Sequence, residues 1–117
     1  MEDLKQQLRK FAKDRDWEQF HSPKNLAMAI SVEVSEIVEI FQWMTEEKSQ
    51  KLNGKNLENL EEEIGDVMNY LVALADKFGI DPLEAAKKKL VINDKKYPAS
   101  LVRGSSMKYN EYSESPS

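Results

Sequence analysis

The sequence predicts an all-α fold, a four-helix bundle, and three observations carry that prediction. Apolar residues recur at helical spacing over four segments. Proline and glycine stand where helices start and stop rather than inside them. Gly 4 and Pro 4 in 117 residues are also too few for the many tight turns of a sandwich or barrel. A chain of this length buries one core and rarely two.

Leu4, Leu8 and Phe11 set a first helix that ends near Asp14, Arg15 and Asp16. An aromatic connection, Trp17 to His21, follows, with Phe20 read as core. Ser22 and Pro23 then supply an N-cap and a first-turn proline whose missing N–H costs nothing, so a second helix runs from Pro23 to about Met44. The polar stretch Thr45 to Asn56, with Asn53-Gly54 as its turn signal, reads as a connection carrying at most one loose turn. A third helix spans about Leu57 to Phe78, with Gly79 just past its end. Asp81, Pro82 and Glu84 form a capping-box pattern that opens a fourth helix, stopped before Tyr97-Pro98. Residues 1–98 are thus one domain, and the Ser-rich stretch 99–117 reads as a tail on composition.

Lys and Arg number 17 against 21 Asp and Glu, a net charge of -4, which argues against a surface that neutralises nucleic-acid phosphates. Cysteine is absent, so any metal is held by oxygen or by His21, the sole histidine. The acidic start and the lack of about 18 consecutive apolar residues predict no membrane span and a cytoplasmic protein.

On the second helix, Leu26, Ile30, Ile37, Ile40, Phe41 and Met44 form the stripe expected to be buried. Glu33 projects into the middle of that stripe, and Glu36 follows one turn on. A carboxylate there is desolvated at a cost of several kcal/mol unless a cation or a proton meets it. The third helix repeats the pattern, with Glu63 and Asp66 beside the stripe Leu57, Leu60, Ile64, Val67, Leu71, Ala75 and Phe78. A single acidic pair on a charged helix is usually a solvated face. Two facing pairs raise one another's pKa, and a hard divalent cation is the simplest compensation. An all-oxygen ligand set suits Mg²⁺, with Mn²⁺ as a substitute. A di-iron bundle is disfavoured because no Glu-x-x-His is present. The span from Val67 to Ala75 is apolar almost all round, which predicts that a second subunit covers part of it.

Glu33-Val34-Ser35-Glu36 running on to Trp43, followed by Glu62-Glu63-Ile64-Gly65-Asp66 with Tyr70, resembles the MazG-like all-α NTP pyrophosphatases, and within them the dCTP pyrophosphatase group. Arg15-Asp16-Trp17, His21, Pro23, Asn25-Leu26, Lys96-Tyr97-Pro98, Arg103-Gly104 and Lys108-Tyr109 extend the resemblance along nearly the whole chain. It implies hydrolysis of a deoxynucleoside triphosphate to the monophosphate and pyrophosphate, with dCTP favoured, and cleansing of the nucleotide pool. Glu33, Glu36, Glu63 and Asp66 would then hold Mg²⁺, and Glu36 or Glu33 would accept the proton of the attacking water. Trp17, Trp43 and Tyr70 would line a base pocket. His21 and Asn25 would hydrogen-bond base, sugar or phosphate. Lys89, Asn93 and Lys96, spaced along one side of the fourth helix, would meet the triphosphate, joined by Arg103 and Lys108 if the tail folds over a neighbouring site. Vertebrate members carry a histidine where Leu8 stands, so the pocket here would also admit dATP. The resemblance implies a homotetramer, or failing that a dimer. The competing reading is a non-catalytic helical metal-binding or assembly module with structural carboxylates.

Overall fold

The computed structural model describes residues 1–104, and every regular element among them is helical. The α-helices are α1 (Glu2–Asp14), α2 (Pro23–Phe41), α3 (Glu46–Ser49), α4 (Gly54–Asp76), α5 (Pro82–Lys96) and α6 (Ala99–Val102). One turn of 3-10 helix, Glu18–Phe20, joins α1 to α2. The four long helices are those the sequence predicts. The expected count of four becomes six, because two single-turn helices lie in segments read as connection and tail. The Thr45 hydroxyl caps α3, accepting from the Lys48 N–H at 3.2 Å.

Local chemistry explains the helix boundaries. Ser22 takes the extended N-cap conformation and its Oγ accepts from the Asn25 N–H at 3.1 Å, with Pro23 in the first turn. α2 ends at Phe41, three residues before the predicted Met44, where the chain tightens and the Met44 N–H turns back to the Phe41 carbonyl at 2.9 Å. α4 begins at Gly54 rather than Leu57, with Asn53 as its extended N-cap residue. Beyond Asp76, Gly79 adopts a left-handed φ of 66°, and the Ile80 N–H reaches back to the Ala75 carbonyl at 3.0 Å.

Met1–Asp81 form one compact unit, and a second begins at Pro82. In the first, both α2 and α1 pack on α4. One cleft sets Glu36 through Met44 against Asn56 through Glu63, so α2 runs antiparallel to α4. Leu26 of α2 and Val72 of α4 are each 1% exposed. Arg9 on α1 clasps Asp76 with two hydrogen bonds of 2.6 and 2.7 Å. That guanidinium holds the Asp76 carboxyl below the usual carboxylate range.

Buried apolar residues among those described are Ala12, Leu26, Val72 and Ala75. The stripe predicted on α2 is turned inward: none of its six residues is exposed. The stripe predicted on α4 needs correction, since Leu57, Ile64, Leu71 and Phe78 are exposed while Val72, outside it, is buried. α4 meets α2 and α1 on different sides, so one period cannot select its buried residues. Phe20, expected in the core, is 59% exposed, because a one-turn 3-10 helix offers no continuous face to bury. Among the described residues no helix is long and apolar enough to cross a membrane.

Candidate functional site

Glu33 and Glu36 stand one turn apart on the inward side of α2, and antiparallel packing sets Glu63 of α4 opposite them. One carboxylate oxygen from each lies within 4.8 Å of the other two. All three residues are half-buried, and Glu33 Oε2 and Glu63 Oε2 are buried with no hydrogen-bond partner. An unmatched buried carboxylate oxygen is unstable unless a proton or a cation faces it. The cluster's electrostatics say the same. The hydrogen bonds that the protonated Glu63 carboxyl donates to Glu33 and Glu36, with desolvation and their charges, push its pKa up to about 8. For Glu33 the hydrogen bond with Glu63 acts downward, yet burial and the Glu36 and Asp66 charges leave it raised. Glu33 and Glu63 therefore share a proton at neutral pH.

Asp66, the fourth expected ligand, stands outside this group of three and is exposed. It lies one turn beyond Glu63 and is near enough for its charge to raise the Glu33 pKa. Its carboxylate lines a second feature, a cleft of about 270 Å³ between α1 and α4. Phe11, Trp17, His21, Asn69 and Tyr70 line the same cleft, with Leu8, Ala12 and Ala73 as apolar walls. Phe11 and Trp17 meet edge to face with centroids 5.7 Å apart, and Trp17 meets His21 the same way at 6.4 Å. The cleft thus pairs flat apolar surfaces with a few polar groups at one end of the carboxylate cluster, an arrangement suited to a flat heterocycle.

The other expected residues divide. Trp17, Tyr70 and His21 come together in the α1–α4 cleft. Trp43 does not join them: it is 89% exposed and lines a separate cleft of about 520 Å³ with Glu36, Glu39, Asn56, Asn59 and Glu63. Asn25 lines neither of these clefts, and its side-chain amide donates to the Phe20 carbonyl at 3.1 Å, tying the 3-10 turn to α2. On α5, in the second unit, Lys89 is exposed while Asn93 and Lys96 are half-buried. Arg103 follows α6 and is exposed. Lys108 lies outside the described residues. Sequence reasoning missed Phe11, taken only as helix stripe, and Asn69. The Asn69 position one turn beyond Asp66 on α4 was the available signal.

The MazG-like family model matches residues 28–112 of the chain. dCTP pyrophosphatase 1 of Homo sapiens is 45% identical over 113 residues, which cover 95% of this chain and 66% of that protein. The Mus musculus protein of the same name is 43% identical, again over 95% of this chain and 66% of its own length. The chain therefore spans just under two thirds of these relatives. Among solved structures, a pyrophosphatase from Archaeoglobus fulgidus superposes with a TM-score of 0.79 at 44% identity, over 84% of this chain and 92% of that one.

Proposed function

The chain belongs to the MazG-like family, and from that premise we propose that it hydrolyses a deoxynucleoside triphosphate to the monophosphate and pyrophosphate, with dCTP favoured and dATP also accepted. The observation that carries this reading is the pair of orphaned oxygens, Glu33 Oε2 and Glu63 Oε2, beside a third carboxylate and next to an aromatic cleft. Oxygen-only ligands with no thiolate or imidazole among them fit Mg²⁺, or Mn²⁺ in its place. Glu33, Glu36 and Glu63 would hold the ion, with Asp66 reaching it from the neighbouring turn. Bound there, it supplies charge neutralisation of the triphosphate and polarisation of the α-phosphorus.

The chain's own groups do the rest. Trp17 and Tyr70 give the base apolar faces to lie against, and His21 offers a polar contact at the same cleft. A water oxygen adds to the α-phosphorus, the bond to the bridging oxygen breaks, and pyrophosphate leaves. Glu36 or Glu33 accepts the water's proton. Lys89, Asn93, Lys96, Arg103 and Lys108, which the family resemblance points to, would be the donors for the phosphates. Exposed apolar residues on α4, Ile64, Met68 and Leu71, support a homotetramer, with a dimer as the smaller alternative.

Incubation with each deoxynucleoside and nucleoside triphosphate, with and without Mg²⁺, followed by ion-exchange separation of products, tests the proposal. Monophosphate plus pyrophosphate only with Mg²⁺ supports it. No release from any triphosphate overturns it and leaves a metal-binding or assembly module.

A further inference from the structure

The α1–α4 cleft contains one group that neither the carboxylate chemistry nor the fold employs. Asn69 lines it beside Trp17, His21, Asp66 and Tyr70, is exposed to solvent, and its side chain makes no hydrogen bond to any described residue. Asp66 only accepts hydrogen bonds when ionised, and Leu8, Ala12 and Ala73 form neither donors nor acceptors with their side chains. A carboxamide is different. It presents a donor and an acceptor side by side in one plane, the pattern that matches a neighbouring acceptor and donor on a base edge.

Position adds a second argument. Asp66 and Asn69 are three residues apart on α4, so they are surface neighbours one turn along the helix. Glu63, Asp66 and Asn69 therefore lead away from the carboxylate cluster in sequence and in space. A nucleotide with its phosphates at the cluster and its base in the cleft brings its base edge to the level of Asn69.

We propose that Asn69 is the base-reading residue of this cleft, and that its carboxamide, able to present either orientation, pairs with both amino- and oxo-pyrimidine deoxynucleotides. With cytosine, Oδ1 accepts from the exocyclic amino group and Nδ2 donates to ring N3. With uracil the group is reversed: Oδ1 accepts from N3–H and Nδ2 donates to O4. The inference rests on the nucleotide reading above, and it deepens that reading by assigning the contact with the pyrimidine edge to one side chain.

dCTP and dUTP differ only at this edge, and deoxyribose 5-phosphate lacks it altogether, which makes them the probes. Asn69→Leu removes both donor and acceptor, so KM for dCTP and for dUTP should rise about tenfold with kcat held. Asn69→Asp loses the donor that meets N3 of cytosine and O4 of uracil alike, so KM should rise for both while their ratio stays within about twofold; a ratio shifted further means one fixed orientation and overturns the two-way pairing. Asn69 is exposed, so neither substitution disturbs the core. Calorimetric titration with dCMP, dUMP and deoxyribose 5-phosphate reads the same contact without turnover: Asn69→Leu should weaken the first two and leave the third unchanged. A chain that hydrolyses neither triphosphate but whose dCMP and dUMP binding weakens in this way would refute the hydrolase reading and retain this one. Affinities for dCMP and dUMP within about twofold of the unaltered chain in Asn69→Leu, an equal loss for deoxyribose 5-phosphate, or no binding of either monophosphate overturns the role of Asn69.

Discussion

Cation binding to the Glu33, Glu36 and Glu63 cluster should expel a proton, and the number expelled follows from the structure. Glu63 is pushed up to about 8 by its hydrogen bonds with Glu33 and Glu36, so at pH 7 the cluster retains roughly 0.9 of a proton and at pH 9 roughly 0.1. A divalent cation needs the deprotonated oxygens, so binding releases those fractions. Titration calorimetry with Mn²⁺ in buffers of differing ionisation enthalpy measures them directly. Apparent affinity should climb almost tenfold per unit between about pH 6 and 7 and flatten above about 8. Stability carries the same sign. The native cluster binds more protons than the unfolded chain between the usual 4.5 and about 8, so the metal-free protein loses stability as pH rises through that window. Cation addition should therefore raise Tm more at pH 8 than at pH 5. Glu33→Gln removes the largest cause of the Glu63 shift, so proton release at pH 7 should fall and metal-free Tm should rise. Turnover should drop at least a hundredfold, since several kcal/mol of charge stabilisation depend on the ion. No proton release at pH 7, or an affinity flat from pH 6 to 8, would refute the reasoning.

Leu26 is 1% exposed where α2 meets α4, so Leu26→Ala should cost about 2–5 kcal/mol in urea denaturation. Asp76 is held low by Arg9, so that pair's stabilisation is present above the ordinary value of 3.8 and lost as pH falls below it. Arg9→Ala should accordingly lower Tm at pH 6 and leave it close to that of the unaltered chain in strong acid, as thermal melts across pH would show. Trp17 lines the α1–α4 cleft, so Trp17→Ala should raise KM for dCTP about tenfold with a smaller change in kcat, measured by initial rates.

The sequence made α2 legible because its inward residues recur at helical spacing between a clear N-cap and a polar connection. Leu26 through Met44 fall on a single stripe, and a carboxylate inside that stripe, Glu33, stands out as an expense the fold would not otherwise bear. Its partner was legible only by analogy of pattern. Glu63 and Asp66 share a spacing, yet the structure sets Glu63 in the carboxylate cluster and Asp66 at the cleft, since facing α2 and facing α1 are separated by a fraction of a helical turn. The same division explains α4 as a whole. A helix between two neighbours buries residues on two sides, so Val72 is hidden while Ile64 and Leu71 are exposed, and no single period describes both. Asn69 escaped notice for a related reason. On sequence it is one polar residue in an apolar run, and only the arrival of Phe11 on α1 and of Trp17 just beyond it makes it the rim of a cleft. A helix's own periodicity reports which residues leave water. What those residues then face is decided by segments distant in the chain, and in this protein α1 is the segment that gives the α4 residues Asp66, Asn69 and Tyr70 a common cavity.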